Sequence, residues 1–290
     1  MLNDPEPLGS KTDLLSHADF DRLARYVQDV SGIKVPPSKK TLMESRLRRR
    51  VRALGMADLN AYADYLFAHG GINGSESVHL INAMTTNKTD FFRESNHFSF
   101  LSAKGVPELL KAMSREGRPA ALQAWSVACS NGAEPYTLAM VLEDLRHNGA
   151  DFHYQIFATD ISTDILHSAA TAVYSEDTIE PVPEPMRKRY LLRSKDAKKR
   201  LVRIAPEIRK RVKFLRMNLM DEKYPLPREM DIVFCRNVLI YFDKKTQAAV
   251  LRRLCAHLRP GGFLMLGHSE SVSAMHLPVT AIAHSIFQRT

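Results

Sequence analysis

The sequence predicts an α/β protein: a mostly parallel, doubly wound sheet with a small antiparallel insertion, preceded by a small all-helical domain. Three observations lead there. Apolar residues over about 16–88 recur with a helical period. From about residue 119, short apolar runs alternate with helical stretches, which implies strands covered on both faces. The stretch at about 190–208 breaks that alternation and reads strand, charged turn, strand.

In the helical part, Ser16 is placed to cap a first helix whose Phe20, Leu23, Ala24 and Val27 form an i, i+3, i+4, i+7 stripe. Gly32 closes it and Pro36-Pro37 breaks the chain. A second helix is expected over about 38–54, with Leu42, Met43, Leu47, Val51 and Leu54 on its apolar side. Asp58 opens a third, carrying Leu59, Tyr62 and Leu66. A turn rich in glycine and asparagine at 70–74 precedes a fourth, with Val78, Ile81 and Met84. Residues 1–15 read as a disordered, polar lead without the basic flank and apolar stretch of a secretory signal. Residues 89–118 read as a linker containing short helices.

Strands are expected at 121–129, 154–161, 212–219, 231–235 and 263–267, with a last one at about 280–289. The sheet domain therefore spans 119–290. Within the insertion, Tyr190–Arg193 and Leu201–Ile204 flank the charged turn Ser194–Arg200.

Composition narrows the chemistry. No apolar run approaches the roughly 20 residues needed to span a bilayer. Cys129, Cys235 and Cys255 show no paired spacing, which argues for a reducing compartment and for buried thiols. The histidines form no metal-ligand pair, so no metal is expected. A net charge of +9 points to an acidic partner.

In a doubly wound fold, ligands sit beyond the carboxyl ends of the strands. After the first strand comes Ser130-Asn131-Gly132-Ala133-Glu134. The glycine permits close backbone approach, and Glu134 suits an ammonium group or a sugar hydroxyl rather than a phosphate. The Gly-x-Gly-x-x-Gly dinucleotide pattern is absent. Asp160 ends the second strand, where a carboxylate accepts ribose hydroxyls; the alternative is a helix cap. Asn218-Leu219 follows the third and suits an adenine. Arg236-Asn237 follows the fourth, ahead of Ile240-Tyr241-Phe242.

Four stretches resemble signatures of the CheR family of chemotaxis receptor methyltransferases. They are Thr85–Glu94, Cys129–Tyr136, Phe234–Phe242, and Gly261-Gly262 with Gly267-His268-Ser269-Glu270-Ser271. Their order matches, and the resemblance covers nearly the whole chain. The resemblance implies a Rossmann-like S-adenosylmethionine methyltransferase domain with the β insertion, behind a small all-α domain. It implies S-adenosyl-L-methionine as methyl donor, S-adenosyl-L-homocysteine as product, and glutamates of chemoreceptor cytoplasmic domains as acceptors. The enzyme would be a cytoplasmic, monomeric protein-glutamate O-methyltransferase serving chemotactic adaptation.

By the same resemblance, the donor pocket would include Asn87, Thr89, Arg93, Glu134, Asp160, Asn218, Leu219, Arg236 and Asn237. Arg93 and Tyr241 would lie closest to the transferred methyl, as the catalytic pair. The family's insertion can dock a receptor's C-terminal tether peptide. Here the turn at Lys195–Arg200 lacks the glycines seen in some members, so binding to the receptor body, not the tether, is expected.

Arg46, Arg49 and Arg50 fall on one face of the second helix, with Arg48 and Arg52 beside it. That face suits docking to the acidic methylation region of a receptor. Nucleic acid is disfavoured. The place after the fourth strand lacks the Asn/Asp-Pro-Pro-aromatic signature of amino-methylating enzymes, and the basic helix carries no interleaved aromatics. Membrane insertion is not expected. A non-enzymatic sensor of the donor remains the alternative to an enzyme, and turnover separates the two.

Overall fold

The computed structural model describes residues 13–270 and 276–290. The chain divides into two compact units after Thr86.

The first unit holds four helices: α1 (His17–Ser31), α2 (Lys40–Ala53), α3 (Leu59–Ala68) and α4 (Glu76–Met84). Their ends follow local chemistry. Ser16 Oγ accepts from Asp19 N–H at 3.0 Å, and Gly32, at φ 74°, returns its N–H to Gln28 at 2.7 Å. Asp58 caps α3 by accepting from Asn60 and Ala61. Phe20, Leu23, Val27, Leu47, Val51, Tyr62 and Leu66 meet in the core. Leu42 does not join them: it is 43% exposed. The buried Glu44 lies on the inner side instead, where it accepts the N–H of Leu15. Most of the expected lead lies outside the described residues. Two of its last three residues are packed: Leu15 is buried, and Asp13 accepts from Leu59 N–H and pairs with Arg48, while Leu14 is exposed.

In the second unit the expected linker at 89–118 is part of the domain. It forms α5 (Asn96–Phe100), a wider π-type turn at Leu101–Gly105, and α6 (Val106–Arg115). Phe91, Phe98, Leu101, Val106, Leu109 and Met113 belong to the same core as the sheet. These apolar positions bury against strands distant in sequence, which the short-range pattern does not reveal.

The strands and helices then alternate: β1 (Ala121–Val127), α7 (Ala133–His147), β2 (His153–Asp160), α8 (Thr163–Thr171), β3 (Val173–Ser175), α9 (Glu184–Tyr190), β4 (Leu191–Arg193), β5 (Leu201–Ile204) and α10 (Pro206–Arg209). They continue with β6 (Val212–Arg216), β7 (Met230–Cys235), α11 (Lys244–His257), β8 (Leu258–Leu266), β9 (Val279–Ala283) and β10 (Ile286–Arg289). The large sheet has the order β6-β2-β1-β7-β8-β10-β9. The first five strands are parallel, and β10 and β9 add antiparallel pairs. All six residues of β7 are buried, as befits a central parallel strand; its one charged residue, Asp231, pairs with Arg259 at 2.7 Å and accepts from Gln123 N–H. The expected last strand is a hairpin, turned at Ser285 with φ 57°. The insertion has three strands, in the order β3-β5-β4; β3 is too short to carry its own periodic signal.

The chain leaves β1 toward β2 and β6, then returns to the other side through β7 and β8. The switch point therefore lies between β1 and β7. Register keeps the strand tips level there: Val127 sits opposite both Thr159 and Cys235. The three cysteines are free and buried.

Candidate active site

Loops leaving the level ends of β1, β2, β6 and β7 meet above the switch point. Their backbone is unusual. Among the described residues, Phe92, Glu94, Ala128, Ser130 and Asn237 all adopt positive φ, between 51° and 57°, without being glycine. Such conformations cost on the order of 1–3 kcal/mol each and persist only where surroundings impose them.

Arg236 is the centre of the imposed order. Its side chain is 2% exposed and lies 3.3 Å from both Glu94 and Glu134. Its guanidinium donates to the Arg93 carbonyl and lies over the rings of Phe98 and Phe234. Three segments far apart in sequence are thereby tied together. Glu134, in the first turn of α7, also accepts from Ser126 Oγ at 2.7 Å. Burial pushes the Glu134 carboxyl up, against the opposing pull of Arg236 and Ser126. Burial also acts on Glu94, but Arg236, Asn237 and His268 outweigh it and hold that carboxyl below its usual range.

Asp160 closes β2 and is buried. One oxygen accepts from Ser130 N–H at 2.9 Å and the other from Ser162 N–H at 3.0 Å. Ser162, not Asp160, caps α8. Burial raises the Asp160 carboxyl despite those bonds. Asn87 reaches the same place: its carbonyl accepts from Ser130 Oγ at 2.8 Å. Thr89 is half-buried in the strand-free run between Asn87 and Phe91. Arg93 is half-buried and donates to the Lys88 carbonyl at 3.2 Å. After β6, Asn218 Oδ1 accepts from Met220 N–H, and Leu219 is buried. After β7, Asn237 Nδ2 donates to Glu94 at 3.2 Å, and the half-buried Tyr241 ends a short 3-10 turn at Leu239–Tyr241.

The nine residues expected to line a donor pocket thus stand at neighbouring strand tips or on the segment pinned to them. The set fits a nucleoside carrying a sulfonium: carboxylates at β2 and after β1, an amide and an apolar side chain after β6, and no glycine-rich phosphate cradle. Gly132 has φ 89°, and a Cβ there would stand 3.1 Å from the side chains of Ala169, Tyr136 and Tyr174. Glu94, His97 and His268 also bring ligand-type atoms within 4.8 Å of one another. The Arg236 guanidinium serves as the counter-ion to Glu94 there, and burial followed by Arg236 pushes the His97 pKa down to about 4.

Sequence reading missed Glu94 and Ser126 as members of this site. Ser126 had a signal, being polar inside an apolar strand. Glu94 had none beyond its neighbours, since its partners are 142 and 143 residues away.

The basic face of α2 differs from expectation. Arg46 donates to the carbonyls of Ala83, Met84 and Thr85 at 2.9–3.3 Å, closing the end of α4. Arg50 forms a two-pronged pair with the buried Glu76, at 2.8 and 2.5 Å, and Glu76 also accepts from Tyr62. Burial opposes ionisation of Glu76, but Arg50 and Tyr62 hold its carboxyl below the usual range. Arg46 and Arg50 are therefore committed to the fold of the helical unit, and Arg49 is the exposed member of the three.

A sheet whose parallel tips gather these groups at a switch point is that of a nucleoside-binding methyltransferase. The family profile described as "CheR methyltransferase, SAM binding domain" matches residues 87–286, and "CheR methyltransferase, all-alpha domain" matches 18–85. The chain belongs to the CheR methyltransferase family. A chemotaxis protein methyltransferase of Borreliella burgdorferi is 38% identical over 256 residues, 88% of each chain. Chemotaxis protein methyltransferase 2 of Pseudomonas aeruginosa is 36% identical over 285 residues, 98% of this chain and 97% of its own. The Salmonella typhimurium chemotaxis protein methyltransferase is 38% identical over 259 residues, 89% of this chain and 85% of its own. Among the described residues, no helix is long and apolar enough to cross a membrane.

Proposed function

We propose that this chain, as a chemoreceptor methyltransferase, esterifies glutamate side chains in the receptor's cytoplasmic region with S-adenosylmethionine as donor. The observation that carries the reading is the Arg236-centred cluster at the switch point of a domain matched along its length by the CheR methyltransferase profile. The bound donor supplies an electrophilic methyl on a cationic sulfur. The acceptor glutamate, with an ordinary pKa of about 4.3, is already ionised at neutral pH. No general base is required, and none is needed from Glu134 or Asp160, whose carboxylates already accept hydrogen bonds within the fold.

The residues' work is binding, alignment and exclusion of water. Charge shrinks as anion and cation become neutral, so a dry pocket favours the reaction over water. Alignment is worth up to roughly 7–11 kcal/mol. Asp160 keeps lone pairs beyond its two backbone donors for the ribose hydroxyls. Glu134, Asn87, Thr89, Asn218, Leu219, Arg236 and Asn237 complete the donor pocket. Arg93 holds the donor's carboxylate, because a strong ion pair on the attacking oxygen would blunt it. Tyr241 orients the incoming glutamate by a hydrogen bond. On the helical unit, Arg49 with the exposed Arg52 forms the face for acidic receptor helices. The receptor body, rather than a tether peptide at the Lys195–Arg200 turn, is the surface bound.

The test is transfer of labelled methyl from S-adenosylmethionine to purified receptor cytoplasmic domains. Label released by mild base supports the reading. Tight donor binding with no transfer to any receptor would move it to a donor-sensing domain.

A further inference from the structure

Glu270 stands four residues beyond β8 and is only 9% exposed. Its carboxylate is filled by backbone. Oε1 accepts from the N–H groups of Val238 at 3.0 Å and Leu239 at 2.8 Å. Oε2 accepts from Asn237 at 3.0 Å and from Gly267 at 2.7 Å. Three successive amides of the loop after β7 thus point at one anion, and the first belongs to Asn237, whose φ is 57°. Consecutive amides in such a conformation form a concave anion-binding nest. Here the anion is part of the chain.

The loop so gripped carries Arg236 and Asn237 at one end and Tyr241 at the other. Gly267 shows how tightly the two sides meet. A Cβ there would stand 2.6 Å from Asn237 Nδ2 and 2.9 Å from both Asn237 N and Glu270 Oε2. No side chain but hydrogen fits at that position. A left-handed asparagine with its amides aimed inward would relax without the carboxylate, and the side chains on either side of it would turn with the backbone.

We infer that Glu270 is a positioning residue for methyl transfer: it sets the loop from Arg236 to Tyr241 in its working geometry without touching donor or receptor. The inference rests on the assignment of Arg236 and Asn237 to the donor pocket. Glu270 then controls donor affinity and turnover together, and leaves receptor docking alone.

The experiment uses the full-length chain with the variants Glu270→Gln, Gly267→Ala, the double variant, and Asn237→Ala. Glutamine keeps the size of the side chain but replaces one acceptor oxygen by an amide that cannot accept, so two of the four bonds are lost. Alanine at 267 pushes on the same nest from the other side. Donor-site affinity is read by calorimetric titration with S-adenosylhomocysteine, turnover at saturating donor, and receptor KM separately. Glu270→Gln and Gly267→Ala should each lower affinity and kcat about tenfold or more, with receptor KM within about twofold of the parent. The double variant should be little worse than the worse single, because both damage one element. Parental affinity and kcat in Glu270→Gln overturn the inference, as does a loss confined to receptor KM. If Glu270→Gln does not fold, Gly267→Ala decides by the same criteria. If Asn237→Ala also keeps parental affinity, the pocket assignment fails; if it loses affinity while Glu270→Gln does not, only the positioning role of Glu270 fails.

Discussion

Replacing Arg236 by methionine tests the cluster on which the site depends. The side chain is 2% exposed, bridges Glu94 and Glu134 at 3.3 Å each, and donates to the Arg93 carbonyl. Methionine preserves much of the apolar stem but leaves two carboxylates buried without a counter-charge. Breaking a buried pair by removing one partner costs about 3–5 kcal/mol. Two carboxylates share this arginine, so the upper half of that range is expected at pH 7. The pH dependence has a definite sign. In the parent, Glu94 is held below its usual range, so the stability it contributes is present above the unfolded pKa and is lost as acid carries pH through the lower folded value. Without Arg236, burial loses its strongest opponent at both carboxyls, leaving only Asn237 and His268 to oppose it at Glu94 and Ser126 at Glu134, so both shift upward. Protons then replace the guanidinium, and the variant recovers stability relative to the parent between pH 7 and pH 5. The assay is urea unfolding followed by the chain's single tryptophan, Trp125, which is fully buried in β1 and reports the methyltransferase unit. A pH 7 loss under about 1 kcal/mol, or a gap between variant and parent that widens toward pH 5, would refute the reasoning. Adding Glu134→Gln to the variant should recover part of the loss.

Other expectations follow from the same geometry. Arg50→Ala strands the buried Glu76 and should destabilise the helical unit by about 3–5 kcal/mol, seen as an early transition in far-UV circular dichroism. Arg49→Glu should leave that transition within about 0.5 kcal/mol, as an exposed surface change, yet raise the apparent KM for receptor several-fold at low salt. Tyr241→Phe should cut kcat about tenfold, the worth of roughly one hydrogen bond, with donor affinity unchanged; full turnover would remove the orienting role. His97 is fully buried and its pKa is pushed down to about 4, chiefly by burial and then by Arg236. The folded state therefore binds fewer protons than the unfolded one below about pH 6.5, and stability should fall by about 3 kcal/mol from there to pH 4. A His97→Phe variant should show a flatter profile by nuclear magnetic resonance or urea titration.

Much of the fold was legible because its determinants are local. Ser16, Gly32 and Asp58 mark helix ends through bonds to residues two to four positions away. The apolar run Ile232–Cys235 announces a central parallel strand. Asp160, Glu134 and Asn237 could be placed because a strand tip is a position that a short motif defines. What was hidden depends on separation in sequence. Residues 89–118 looked like a linker because their apolar face is complementary to strands yet to come. Arg46 and Arg50 looked like a free basic face because helix periodicity gives a residue's side, but not what lies opposite. The α4 carbonyls and Glu76 lie 26 to 39 residues further on.

The Glu270 nest also has a consequence for the order of manufacture. The loop amides it fills end at Leu239, and 31 residues separate that point from Glu270. At 5–20 residues per second, a ribosome takes roughly 2–6 s to cross that gap. Throughout that interval the growing chain already possesses the arginine, asparagine and tyrosine of the loop, but not the carboxylate that fixes them. β8, which pairs with β7, is made within the same interval. The loop from Arg236 to Tyr241 therefore waits for its fixing carboxylate until the five parallel strands exist, and only the β9–β10 hairpin of the sheet is made after Glu270.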